Sequence, residues 1–142
     1  MRKVSHVLRR KGSNVTTVAP STTVIDALHI MADQNIGSVA VMENDNFLGI
    51  MTERDYSRKV ILLGRSSTDT TVGEIMSSHF PAVKETDTIE HCMELMSEKN
   101  LRYLPVMDGR RLAGIISIND VVKETILTHE ETISHLQSYI NS

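Results

Sequence analysis

The sequence predicts an α+β protein in which two β-α-β-β-α repeats pack as a pseudo-twofold pair. Three observations predict it. Sliding the chain by 65 residues lays Asn14–Ser57 on His79–Val122 without a gap; nine of 44 pairs are identical, including Thr23/Thr88, Met31/Met96, Asn35/Asn100, Gly49/Gly114 and Asp55/Asp120. Caps, turns and apolar runs recur in the same order in both halves. A unit of about 45 residues buries too little core alone, so two facing units and a cleft between them follow.

Each element has a local reason. Val15–Val18 and Phe80–Val83 read as short first strands. Ser21-Thr22-Thr23 and Thr86-Asp87-Thr88 offer N-caps, whose side-chain oxygens accept free backbone N–H groups. Helices follow on Val24, Ala27, Leu28, Met31 and on Ile89, Cys92, Met93, Met96, with Asn35 and Asn100 at their ends. Val39–Met42 and Leu104–Met107 are second strands, and turns at Asn44-Asp45 and Asp108-Gly109 lead to third strands Phe47–Met51 and Leu112–Ile116. A last helix starts near Thr52 or Ser117. The lead-in Val4-x-x-Val7-Leu8 recurs as Val72-x-x-Ile75-Met76. The expected layout is a lead-in over 1–13, repeats over 14–63 and 79–127, a linker with the second lead-in over 64–78, and a C-terminal helix over 128–142. That helix carries an apolar stripe (Ile126, Leu127, Ile133, Leu136, Ile140), which serves equally as core or as a dimer contact.

Composition narrows the function classes. The 142 residues carry 15 Lys+Arg and 18 Asp+Glu, a formal charge of −3, with 40% hydrophobic and 23% charged residues, the balance of a soluble globular chain. No run approaches the ~18 apolar residues of a membrane span, and Met1–Gly12 has no apolar signal region. Cys92 is the only cysteine, which excludes an intrachain disulfide and argues against structural zinc. The absence of Trp and the 4% aromatic content argue against single-strand nucleic-acid platforms. Residues 1–25 hold five bases and no acid, a pattern compatible with an organelle transit segment; a cytoplasmic location is the expectation, with organelle targeting open. The histidines of His129-Glu-Glu-Thr-Ile-Ser-His135 are six apart, whereas a zinc-protease helix needs four. No metal site and no catalytic nucleophile–base pair is expected.

The chemistry sits where the third strands end. Gly49-Ile50-Met51-Thr52-Glu53-Arg54-Asp55 and Gly114-Ile115-Ile116-Ser117-Ile118-Asn119-Asp120 both read Gly-apolar-apolar-Ser/Thr-x-x-Asp. One reading is a capping box, with the acid closing back on the N-cap amide. The other uses the same geometry for a nucleotide: N–H groups and a hydroxyl for phosphate, and a carboxylate for the vicinal ribose hydroxyls.

The motif pair, with Ile36-Gly-Ser-Val-Ala-Val-Met42 and Leu101-Arg-Tyr-Leu-Pro-Val-Met107, resembles a tandem CBS-domain pair (a Bateman module) over about Val4 to Leu127. The resemblance implies a non-enzymatic regulatory module that takes an adenosine ligand (AMP, ADP, ATP, NAD(H) or S-adenosylmethionine), needs no obligatory cofactor, forms a homodimer and signals to a partner protein, with neither membrane nor nucleic acid expected as partner. Each site is then expected to mix the repeats. The first takes Thr52 and Asp55 with His79, Phe80, Pro81, Leu101, Arg102 and Tyr103, and with Arg54 and Arg58 added for phosphate. The second takes Ser117, Asn119 and Asp120 with Val15, Thr16, Ile36, Gly37 and Ser38. An interaction scaffold with degenerate sites is the alternative.

Overall fold

The computed structural model describes residues 2–12 and 14–141, without the side chains at 132, 135, 136 and 139–141. The chain divides into two compact units, Asn14–Phe80 and Met1–Ser13 with Pro81–Ser142. The lead-in of each repeat therefore packs on the core of the other repeat. Local sequence gave no sign of that exchange.

In the 14–80 unit, β1 (Thr17–Val18), α2 (Val24–Gln34), β2 (Ser38–Glu43), β3 (Asn46–Thr52) and α3 (Glu53–Tyr56) occur in order. The three strands form one sheet in the order β1-β2-β3, parallel then antiparallel. Thr23 caps α2 by accepting from Asp26 N, and Asn35 ends it in the left-handed conformation at φ 54. A short polar side chain tolerates that conformation better than most. Asn44 and Asp45, both at positive φ, turn the β2–β3 hairpin as expected. After α3 the chain runs on as a π-helical turn over Ser57–Ile61, with Leu62 N donating to Ser57 O at 3.0 Å. Helix α4 (Val72–Ile75) docks by Val24 N→Thr70 O and Val72 N→Thr22 O, both 2.8 Å. Its Val72 and Ile75 join Val24, Ala27, Met31, Val39, Val41, Met51 and Val60 in one core.

The other unit begins with α1 (Val4–Lys11) and continues with α5 (Ile89–Lys99), β4 (Tyr103–Asp108), β5 (Arg111–Ser117) and α6 (Ile118–Asn141). Helix α1 is held by Val4 N→Asp87 O (2.9 Å) and Ile89 N→Arg2 O (3.1 Å). Its Val4, Val7 and Leu8 enter a core with Val83, Ile89, Cys92, Met96, Leu104, Val106, Ile116 and Val121. Thr88 and Asn100 cap α5 as their counterparts cap α2.

Several expectations are corrected. Phe80–Val83 is not a strand: among these residues only Val83 bridges the sheet, parallel to Val106, with Val83 N→Pro105 O at 3.1 Å and Met107 N→Val83 O at 2.8 Å. Pro81 lacks the N–H a longer ladder needs. The second hairpin turns at Gly109 and residue 110, one position later than expected, because Asp108 pairs with Arg111. The boundary expected at 127/128 falls inside the single helix α6. Met93 is not core but 42% exposed, at the edge of the α5 stripe. On α6, Ile126 and Ile133 are exposed and Leu127 is half-buried, while the expectations for Leu136 and Ile140 lie outside the described side chains.

Candidate functional site

In both units the hairpin places the start of the second strand beside the end of the third. Ser38 pairs with Thr52 and Tyr103 with Ser117. One residue back, Gly37 O accepts from Glu53 N at 3.2 Å and Arg102 O from Ile118 N at 2.9 Å. Thr16 O accepts from Ala40 N at 3.0 Å, which brings the first-strand residues to the same end of the 14–80 sheet. That unit gathers Val15, Thr16, Ile36, Gly37 and Ser38 near Thr52 and Asp55, all partly or fully buried. In the other unit Leu101, Arg102 and Tyr103 gather near Ser117, Asn119 and Asp120, with Arg102 and Asn119 exposed. His79 and Arg58 are exposed; Arg54, Phe80 and Pro81 are half-buried, and Thr16 bonds Gln34 through its hydroxyl. Each of the two residue sets expected from the resemblance draws on both units.

The capping box exists in both repeats. Thr52 N donates to Asp55 Oδ2 at 3.0 Å while Asp55 N donates to Thr52 Oγ1 at 3.1 Å. Ser117 N donates to Asp120 Oδ2 at 2.8 Å while Asp120 N donates to Ser117 Oγ at 3.1 Å. The two carboxylates then differ. Asp55 is 6% exposed. Its Oδ2 also accepts from Thr52 Oγ1 (3.1 Å), and its Oδ1 accepts from Ser77 Oγ (2.8 Å) and faces Lys59 Nζ at 3.0 Å. Four donors fill the roughly four lone-pair positions of a carboxylate. Asp120 is half-buried, and its partners among the described residues, Ser117 N and Lys11 Nζ (2.8 Å), both bind Oδ2. Among the described residues Oδ1 has no donor. Asp120 thus retains an oxygen without a donor among the described residues, whereas Asp55 does not.

Lys59, Ser77 and Lys11 were not expected here. For Lys59 the i,i+4 spacing from Asp55 is the one local signal of its contact. Its ammonium also donates to Ile75 O at 2.8 Å and to Ser77 Oγ at 3.3 Å. Lys11, at the end of α1, donates to Ile115 O at 2.9 Å as well as to Asp120. Nothing local to either residue signals that contact. The motif glycines admit packing rather than a ligand: a Cβ on Gly49 would lie 2.5 Å from Ser77 O, and one on Gly114 would lie 2.8 Å from Leu8 Cδ2.

Behind Asp120, the carboxylate of Glu124 is fully buried and ion-paired with Arg10 and, at 3.7 Å, with Arg2. Burial, with the Asp87 carboxylate adding to it, pushes the Cys92 thiol up to about 11, so it behaves as a small apolar side chain rather than a redox thiol. Among the described residues no group of three or more His, Cys, Asp or Glu could hold a metal ion, and no helix is long and apolar enough to cross a membrane.

Two repeats, βαββα in the first and with its first strand reduced to a single bridge in the second, each close a hairpin on a hydroxyl–carboxylate pair and define an α+β repeat module. The chain belongs to the CBS-domain family, whose model matches residues 4–61 and 72–126. It is similar to a putative signal-transduction protein with CBS domains from Burkholderia ambifaria, at 42% identity and TM-score 0.84 over 88% of this chain and 94% of that one. The mitochondrial CBS domain-containing protein CBSX3 of Arabidopsis thaliana is 34% identical over 96% of this chain and 71% of its own length. A CBS domain pair solved with 5′-methylthioadenosine and S-adenosyl-L-methionine shares the fold, at 23% identity and TM-score 0.76 over 87% of this chain and 98% of that one.

Proposed function

We propose that this chain is a non-enzymatic regulatory module that binds an adenosine-containing nucleotide and passes the signal to a partner protein. The observation that carries this reading is the Ser117–Asp120 pair, which among the described residues keeps a carboxylate oxygen without a donor beside a hydroxyl, at the end of a strand hairpin. A ribose diol needs such an acceptor, and the family membership supports an adenosine ligand. The proposed ligand sets are Thr52, Arg54, Asp55 and Arg58 with His79, Phe80, Pro81, Leu101, Arg102 and Tyr103, and Ser117, Asn119 and Asp120 with Val15, Thr16, Ile36, Gly37 and Ser38. We propose Asp120 as the primary ligand acceptor, whereas the Asp55 set takes a ligand only by displacing one of that carboxylate's four donors. Exposed Ile118, Val122, Ile126 and Ile133 on α6 support a homodimer contact.

A native mass spectrum of freshly purified protein tests this reading. The expected result is a dimer with extra mass matching AMP, ADP, ATP, NAD(H) or S-adenosylmethionine. A clean spectrum, together with no rise in melting temperature on adding any of these compounds, contradicts it, because a ligand that binds the native state must stabilise it. The saturation of Asp55 favours one second reading: an interaction scaffold whose Asp55 site is closed to ligand. Partner binding that is indifferent to every adenosine compound would support that scaffold.

A further inference from the structure

The structure assigns Lys11 a role that rests on the nucleotide reading: it is the specificity-determining residue that selects, at the Asp120 site, adenosine compounds bearing a phosphate over the bare nucleoside. Each motif carboxylate is matched by one ammonium, but the two lysines come from non-equivalent places. In the repeat register Lys59 corresponds to Glu124, and Glu124 is committed to Arg10 and Arg2. With an acid at that position, the cation beside Asp120 comes instead from the lead-in helix, as Lys11.

The two pairs are left with different capacities. An ammonium has three donors. Lys59 uses them on Asp55, Ile75 O and Ser77 Oγ, and Asp55 is buried, so that pair is a closed staple between α3 and the end of α4. Lys11 uses two, on Asp120 Oδ2 and Ile115 O, and its side chain is 38% exposed. Among the described residues one ammonium donor and one carboxylate oxygen therefore remain available, on the two partners of a 2.8 Å contact. The oxygen accepts from a ribose hydroxyl, and the donor gives a charge-assisted bond to a phosphate oxygen. A bare nucleoside offers the second group only a neutral hydroxyl, and so no charge-assisted bond. AMP, ADP, ATP and NAD(H) satisfy both groups; adenosine does not.

Titration calorimetry with AMP and adenosine on the full chain tests this, using wild type, Lys11→Met and Lys59→Met. Wild type is expected to prefer AMP by about 10-fold or more, the size of one charge-assisted bond. Lys11→Met removes the preference by weakening AMP while adenosine stays within about 2-fold, an effect that loss of packing alone does not produce. Lys59→Met lowers the urea midpoint and keeps the preference. Equal affinity of wild type for AMP and adenosine overturns the inference with no variant needed, as does an unchanged ratio in Lys11→Met; both outcomes leave the nucleotide reading standing. Failure of wild type to bind either compound, or S-adenosylmethionine, removes that reading and the inference with it.

Discussion

Replacing Gly49 by alanine tests how the second lead-in is fastened to the first repeat. The new Cβ would sit 2.5 Å from Ser77 O and 3.2 Å from Ser77 C, both backbone atoms. Ser77 has little room to give, since Ile50 N→Ser77 O and Ser77 N→Ile50 O are both 2.9 Å and Ser77 Oγ donates to Asp55 at 2.8 Å. Moving Ser77 weakens two backbone bonds at about 1 kcal/mol each and one bond to a charged acceptor at about 1.5–3 kcal/mol. The smaller entropy of the unfolded alanine chain returns about 0.4–1 kcal/mol. A net loss of about 3 kcal/mol is expected. Gly114→Ala is the internal control. Its Cβ meets the flexible tip of Leu8 at 2.8 Å, so repacking holds the cost to about 1 kcal/mol. Urea denaturation of both variants reads the difference directly. Equal losses, or a Gly49→Ala loss under about 1 kcal/mol, would show that the Ser77 contact is not the constraint described.

Three further outcomes are expected. Arg10→Met leaves the buried Glu124 carboxylate with only the more distant Arg2 and should cost about 3 kcal/mol, while the double variant with Glu124→Met recovers most of it; equal urea midpoints for single and double variants would contradict this. Asn35→Ala and Asn100→Ala should each cost about 1 kcal/mol more than the matching Asn→Gly, because both sites are left-handed, at φ 54 and 52; thermal melts decide it. Burial raises the folded Cys92 thiol from an ordinary value of 9.0 to about 11, so its neutral form contributes stability in full below pH 9 that is lost as pH rises toward 11. Urea stability between those limits should therefore fall less steeply in Cys92→Ala than in wild type.

Much of the fold was legible in the sequence because its causes are local. Thr23, Thr88, Asn35 and Asn100 mark helix ends by capping chemistry, and Asn44-Asp45 marks a turn by tolerance of positive φ. The failures were non-local. Phe80–Val83 had strand-like residues, but Pro81 and the short β4–β5 sheet leave Val83 a single bridge. The exchange of lead-ins depends on contacts far apart in sequence, such as Val4 with Asp87 and Val72 with Thr22, and no local pattern reports them. At the site, Ser/Thr-x-x-Asp was readable both as a cap and as a ligand grip. The capping geometry is present at both copies, and what separates them is Lys59 with Ser77 at one and Lys11 at the other. Lys11 reaches Asp120 across 109 positions, which places it beyond any motif.

The central claim is that Asp120 holds the ribose of an adenosine ligand in addition to capping α6. Calorimetric titration of AMP into wild type and Asp120→Ala, with melting curves of both, tests it most directly. The expected result is an affinity loss of about 10- to 100-fold in Asp120→Ala, the equivalent of one lost charge-assisted contact of about 1.5–3 kcal/mol. A variant that melts lower yet titrates AMP as wild type does would make Asp120 a helix cap and nothing more.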